Sequence, residues 1–234
     1  SDLLILKTSS LKDEQLKEYA SEAVNFTNVQ KCVFSARASH ANLATYVYPH
    51  LSTQISTTRI LDLSHNLIKA KILPGCPLCT RNSQEYSFFA QFAPREHQDT
   101  QDTSLCPIHT LTETIQLTQN HALECFILRD NPIGAVGILQ LFVEFLRSTG
   151  SILSVIDVSH CRIFDNVALP LNALLRKVPS THKILVKLNG NHLGHDATVN
   201  VSQKLPGNIS LTMSKNRPKV KRRKRLWKAP QVTT

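Results

Sequence analysis

The stretch that decides the fold is residues 123–137, which read LECFILRDNPIGAVG. Four apolar residues and one asparagine fall there at the spacing L-x-x-L-x-L-x-x-N-x-L: Leu123, Phe126, Leu128, Asn131 and Ile133. This spacing predicts a short strand whose alternate side chains enter a core. The asparagine then holds the following turn by hydrogen bonds to its backbone. One such unit cannot bury its apolar face alone, so we expect stacked copies.

The pattern recurs along the chain at a nearly constant interval. The slot that Asn131 occupies is filled in the other copies by Ser9, Arg37, Asn66, Cys161, Asn191 and Asn216. Successive slots are separated by 28, 29, 65, 30, 30 and 25 residues. The copies at 61–68, 153–163 and 186–194 match well, whereas those at both ends match loosely. Such a period predicts a repeat architecture rather than one unrepeated domain.

A helical pattern follows most of these turns, with apolar residues at i, i+3 and i+4. It covers residues 12–24, 40–51, 136–147, 165–177 and 195–204. Pro170 falls inside the fourth segment, where we expect it to occupy the first turn of a restarted helix. Each unit of about 30 residues therefore predicts one strand and one helix.

A strand with a full helix in each unit resembles the ribonuclease-inhibitor-like leucine-rich repeat family. The resemblance covers nearly all of residues 1–216 and is most specific at 123–137 and 153–163. It implies an α/β leucine-rich-repeat solenoid, a horseshoe with parallel strands on the concave face and helices on the convex face. It also implies a non-enzymatic scaffold that binds protein partners.

The interval of 65 residues is 36 residues longer than the one before it. The extra segment holds two short motifs, Cys76-Pro-Leu-Cys79 and Cys106-Pro-Ile-His109, with 26 residues between them. Three thiolates and one imidazole in this order are typical of a tetrahedral zinc site. The segment is polar and buries little apolar surface, so a structural Zn²⁺ would supply folding energy on the order of 10 kcal/mol.

Two other interpretations of these residues stay open: unligated cysteines, or a redox pair at Cys76 and Cys79. The redox pair lacks the βαβ context of a thioredoxin-like motif, and His97 is a substitute candidate for the fourth ligand. A full set of four ligands leaves no open position, so we do not expect metal catalysis. The sequence thus divides into repeats at 1–71, a zinc-binding insertion at 72–109, repeats at 110–216 and a basic tail at 217–234.

The remaining cysteines are expected to be reduced residues at strand or turn positions: Cys32, Cys125 and Cys161. Three is an odd number for a disulfide framework, and no signal peptide is visible at the N-terminus. We therefore expect an intracellular protein of a reducing compartment, the cytoplasm or the nucleus.

Polar residues between the apolar strand positions are expected on the concave face, where they would bind a partner: Asp62, His65, Arg129, Asp130, Asp157, His160 and Lys187. The motif Asp-x-Ser-His occurs twice, at 62–65 and 157–160, which raises the alternative of a Ser-His-Asp triad. We expect a binding surface of mixed charge instead, because these residues follow one another along a flat strand and no oxyanion hole is recognisable. A plain solvated face remains the other interpretation.

The net charge of +10 is concentrated in the tail, since nine of the 27 cations follow residue 214 and no acid follows Asp196. A block such as 221–225 cannot pack into a core and predicts an extended segment. It would bind RNA or an acidic partner through Lys219, Lys221, Arg222, Arg223, Lys224, Arg225 and Trp227. Nuclear import and simple solubility are further interpretations.

Several function classes are disfavoured by composition. The chain has only seven glycines, and they form neither a dinucleotide-binding nor a P-loop motif. It lacks an uninterrupted apolar run of about 18 residues, so no membrane span is expected. We also expect no small-molecule substrate, because the resemblance implies a non-enzymatic scaffold. Two hypotheses remain: an intracellular repeat scaffold for protein partners, or a ribonucleoprotein component, such as a ribosomal one, whose tail binds RNA. An enzyme built on Cys76 and Cys79 or on the Asp-Ser-His motifs is a weaker third.

Overall fold

The computed structural model describes residues 2–7, 15, 18, 29–49, 51, 56–70, 76, 106–115, 122–147 and 151–217. Their strands form one parallel sheet in which each strand pairs with the next one along the chain. The strands are β1 (Asp2–Lys7), β2 (Val29–Ser35), β3 (Ile60–Asp62), β4 (Cys125–Ile127), β5 (Val155–Asp157), β6 (Ile184–Lys187) and β7 (Ile209–Thr212). The prediction of a repetitive α/β fold with parallel strands is confirmed.

The register of strand pairing repeats from unit to unit. Leu61 pairs with Phe126, Phe126 with Ile156, and Ile156 with Val186. All four side chains are fully buried. Because side chains alternate along a strand, the residues on either side of each of them share the opposite, outward face of the sheet. The repeat pattern therefore assigns inner and outer positions correctly in β3–β6.

Three of the four asparagines in the repeat slots each join two neighbouring turns. The Asn131 side chain donates to the carbonyl of Leu128 in its own turn at 3.0 Å and to that of Leu63 in the preceding unit at 2.8 Å. Its Oδ1 accepts from the amide of Ile68 at 3.1 Å. Equivalent bonds to two turns are made by Asn66 and Asn191. The asparagine side chain thus closes its own turn and also links that turn to the neighbouring unit.

Helices connect the strands at most of the predicted places. They are α1 (His40–Asn42), continued by a π-helical turn at Leu43–Val47, then α2 (Pro107–Thr114), α3 (Gly134–Arg147), α4 (Ala168–Leu175) after a 3₁₀ turn at Asp165–Val167, and α5 (His195–Ser202). Pro170 lies in the first turn of α4, as expected. The helix predicted at 12–24 lies outside the described residues except for Gln15 and Glu18. Among the helices that can be described, none is long and apolar enough to cross a membrane.

Residues near both ends of the insertion belong to the same apolar core as the repeats. Cys76, Cys106 and Ile108 are fully buried in that core. The helix α2 packs against α3, and α3 approaches the chain before the insertion so closely that a Cβ on Gly137 would lie 2.8 Å from the Cβ of Ala70. Both ends of the insertion are therefore held against the repeat that follows it.

Candidate metal centre and outward sheet face

Three of the four predicted metal ligands converge in the core. One ligand atom from each of Cys76, Cys106 and His109 lies within 4.8 Å of the other two, and all three residues are fully buried. The Cys76 Sγ is 3.3 Å from the His109 Nδ1. In a tetrahedral zinc site, a sulfur and a nitrogen ligand lie about 3.5 Å apart. The spacing therefore suits one metal ion bound by both atoms.

The motif Cys106-Pro-Ile-His109 forms the first turn of α2. Cys106 is the N-cap and Pro107 occupies the first helical position, where its missing N–H costs no hydrogen bond. Residues three apart lie on the same side of a helix, which directs Cys106 and His109 to one point. The Cys106 amide also donates to the Cys76 Sγ at 3.4 Å. Backbone and side chain of this turn thus both face the Cys76 sulfur.

The other ring nitrogen of His109 faces a carboxylate on α3. The Glu144 Oε1 lies 3.8 Å from the His109 Nε2, and Glu144 is only 4% exposed. Arg147, one turn along α3, donates to the same Glu144 oxygen. The two short cysteine motifs do not predict Glu144. The available signal was that Gln140 and Glu144, four residues apart, put two polar groups on one side of an otherwise apolar helix.

Sulfur and imidazole donors favour zinc or another thiophilic transition metal over magnesium or calcium, which prefer oxygen. The buried cluster can therefore hold a metal ion of that class. Cys79, predicted as a further ligand, and its substitute His97 lie outside the described residues. So do the tail residues from 218 onward, including Lys219, the block at 221–225 and Trp227.

The three remaining cysteines are free thiols and lie at repeat positions. Burial raises the pKa of Cys32 to about 12, and the charge of Asp62 adds to the shift. Burial likewise raises the pKa of Cys161, which occupies an asparagine slot with its thiol 3.2 Å from the Leu128 carbonyl. Burial also raises the pKa of the half-buried Cys125. Such thiols stay protonated at neutral pH and are poor nucleophiles.

The two Asp-x-Ser-His motifs have a local structural role. The Asp62 carboxylate accepts from the amide of Ser64 at 2.9 Å and from its hydroxyl. In the second copy, the Asp157 carboxylate accepts from the amide of Ser159 at 3.0 Å. The histidines of both copies have left-handed backbone, with φ of 58° and 57° for His65 and His160. The acid therefore closes a turn in each copy, where it bonds the serine.

The predicted partner-binding residues of the strands lie in one row on the outward face, with Ile127 between Asp62 and Asp157. Asp62 pairs in register with Ile127, Ile127 with Asp157, and Asp157 with Lys187. The Lys187 Nζ is 3.7 Å from the Asp157 Oδ2. The structure thus brings these residues into one row that crosses the sheet.

The predicted residues of the turns continue that surface beyond the strand ends. The Asp130 Oδ2 lies 3.3 Å from the His65 Nδ1 and 3.2 Å from the Arg129 Nε. The ring of His160 lies over Gly190, where a Cβ would come within 2.1 Å of the imidazole. Opposite charges are therefore interspersed in the turns as well as in the strands.

An apolar stripe that the repeat pattern was not used to predict lies beside the row that contains Asp62, Asp157 and Lys187. It consists of four partly exposed, register-matched side chains: Ile60, Cys125, Val155 and Leu185. The ion pair between Arg59 and Glu124, at 2.7 Å, borders one end of the stripe. These residues alternate with the buried ones along each strand, and that alternation was the signal that could have identified them.

Comparison with protein-family models and with curated proteins finds no match for this chain. The function is therefore inferred from the metal cluster, the sheet face and the sequence.

Proposed function

We propose that the chain is a non-enzymatic leucine-rich-repeat scaffold that binds a protein partner through the outward face of its sheet. The observation that carries the proposal is the apolar stripe formed by Ile60, Cys125, Val155 and Leu185, which runs beside a row of charged side chains. Protein interfaces commonly combine an apolar centre with a polar rim. The stripe would supply the centre, and the ion-paired residues around it would supply the rim.

The charge balance of this face favours a protein partner over a nucleic acid. Three of its cations pair with acids: Arg59 with Glu124, Lys187 with Asp157 and Arg129 with Asp130. Nucleic-acid binding needs uncompensated positive charge that can replace the counterions of phosphates. A partner with an apolar ridge and charges of both signs fits better.

The horseshoe form of the fold is part of the same proposal. Its support is the period of about 30 residues, the asparagine bonds between successive turns and a parallel sheet in chain order. In such an arrangement the outward sheet face is the concave one. A concave surface suits an extended or helical segment of a partner in a larger assembly.

We further propose that the metal is a structural Zn²⁺, with Cys79 as the fourth ligand. The support is the buried set of Cys76, Cys106 and His109. The free thiols of the described cysteines agree with an intracellular, reducing location.

The second candidate function is a ribonucleoprotein component whose tail binds RNA. The observation that favours it is the run of cations at 219–225 followed by Trp227. Basic segments of this kind bind the phosphate backbone, and an aromatic side chain can stack on a base.

Site-specific photocrosslinking tests the proposal. A photoreactive amino acid replaces Val155 on the sheet face or, as a matched control, Val199 on α5, which is 47% exposed. We expect protein crosslinks from position 155 alone, unchanged by nuclease and abolished by Leu185→Glu. Equal crosslinking from both positions would contradict a partner on the sheet face. Crosslinks that vanish with nuclease would favour the ribonucleoprotein function.

A further inference from the structure

We propose that Glu144 is a positioning residue of the metal centre, which orients His109 so that Nδ1 binds the metal and Nε2 carries the proton. The inference rests on the metal site proposed above and names a residue outside the predicted ligand set. It places one determinant of metal affinity on α3, in the repeat that follows the insertion.

The two nitrogens of the His109 ring face different groups. Nδ1 lies 3.3 Å from the Cys76 Sγ, whereas Nε2 lies 3.8 Å from the Glu144 Oε1. A neutral imidazole that binds a metal through one nitrogen carries its proton on the other. A carboxylate beside that proton favours this tautomer and makes the ligating nitrogen a better donor. At 3.8 Å the attraction is electrostatic, since a hydrogen bond would be shorter.

Burial makes Glu144 a costly residue at this position. It is 4% exposed, and its neighbours Leu141 and Phe145 on α3 are buried in the core. Arg147 pairs with it from the solvent side. Replacing a buried ion pair by apolar side chains is often neutral or stabilising, so such a pair is weak evidence for a role in stability alone. A metal-bound histidine that needs a carboxylate partner accounts for the charge at this position.

The arrangement links the insertion to the repeat body. Cys76 and Cys106 lie near the two ends of the insertion, and His109 belongs to α2, which packs on α3. Glu144 reaches the centre from α3. Metal loading would therefore stabilise the packing of α2 on α3 as well as the insertion itself.

The first test measures the affinity of the full-length chain for Zn²⁺ by competition with a chromophoric chelator. Glu144→Gln keeps the shape of the side chain and removes its charge. We expect Glu144→Gln to bind Zn²⁺ about 10- to 100-fold more weakly than the wild type. The control Glu124→Gln, on the rim of the sheet face, should bind as the wild type does. Equal affinities of wild type and Glu144→Gln would overturn the role of Glu144, whereas a wild type that binds no Zn²⁺ would refute the metal site itself.

A second test measures the effect of Glu144→Gln in a chain that already carries His109→Cys. It separates a positioning role of Glu144 from a role in folding. In His109→Cys the imidazole is gone and a thiolate takes its place, so Glu144→Gln should no longer weaken Zn²⁺ binding there. The same loss in both backgrounds would mean that Glu144 acts through stability alone, and would overturn the proposal.

The tautomer of His109 gives a readout that does not depend on a variant. In the Zn²⁺-loaded wild type, nitrogen-15 NMR of the ring should report a metal-bound Nδ1 and a protonated Nε2. The opposite tautomer would contradict the proposal directly.

Discussion

Single buried side chains determine how neighbouring turns fit together. Asn131 shows this clearly, because its amide serves the backbone of its own turn and of the preceding one. Its position was predictable from the repeat spacing, as was its bond to its own turn. Its reach into the preceding unit was not, because the sequence does not specify how closely two turns stack.

Asn131→Ala should lower the free energy of unfolding by about 2–4 kcal/mol, because it leaves buried backbone groups in two units without partners. Chemical denaturation measures the change. The matched control is Asn166→Ala, since Asn166 is exposed in the 3₁₀ turn and should change stability by less than about 0.5 kcal/mol. Equal effects of the two substitutions would contradict the structural role of the slot.

Gly190→Ala should destabilise the chain by about 1–3 kcal/mol for two reasons. Its backbone φ is 66°, and the added Cβ would meet the His160 ring. In the double variant with His160→Ala, only the backbone strain should remain, so part of the loss should be recovered. Gly207→Ala is the control, because nothing lies within 4 Å of its Cβ position. Equal unfolding temperatures of the Gly190→Ala and Gly207→Ala variants would be evidence against the packing of the His160 ring on Gly190.

Cys32 gives a pH-dependent prediction. Its pKa is raised to about 12, so at pH 8 its thiolate fraction is about a thousandfold smaller than that of an exposed cysteine. Alkylation of Cys32 by iodoacetamide, followed by peptide mass spectrometry, should be slow at pH 8 and accelerate as the pH rises towards 12. The same chain unfolded in urea is the control. Equal rates in folded and unfolded chain at pH 8 would show that Cys32 is not buried.

The sequence correctly predicts those helices and strands whose position depends on apolar spacing alone. The register of β3–β6 was predictable because buried and outward residues alternate, and α3 was predictable from its apolar run. The contacts of α3 were not. Gln140 and Glu144 are polar residues within that run, yet both are buried. They are buried because α2 packs on α3. The insertion determines where α2 lies, so the spacing of residues in the sequence does not predict this contact.

Truncation of a core residue tests the strand register. Leu128→Ala should cost about 2–4 kcal/mol, because the side chain is fully buried and leaves a cavity. Leu169→Ala on α4 is the matched control, since Leu169 is 66% exposed and its loss should cost less than about 0.5 kcal/mol. If denaturant titration gives similar losses of unfolding free energy for the two variants, the strand register is wrong.

At the scale of the whole molecule, the cluster that could hold a metal ion and the repeats share one core. Cys76 and Cys106 lie in the same apolar cluster as the strand residues Phe126 and Ile156. The grouping of Cys76, Cys106 and His109 was predictable from the two short motifs, because the donor types and their order are typical of zinc sites. Their place in the repeat core was not, since it depends on where the chain re-enters the array after 36 additional residues.

The most direct test is the zinc content of the full-length chain, measured by elemental analysis after gel filtration. We predict one zinc per chain in the wild type and a loss of zinc in Cys76→Ser and Cys106→Ser. The exposed-site control His195→Ser on α5 should keep its zinc. A folded wild-type chain without zinc, whose unfolding temperature is unchanged when Zn²⁺ is added, would contradict a metal-held insertion.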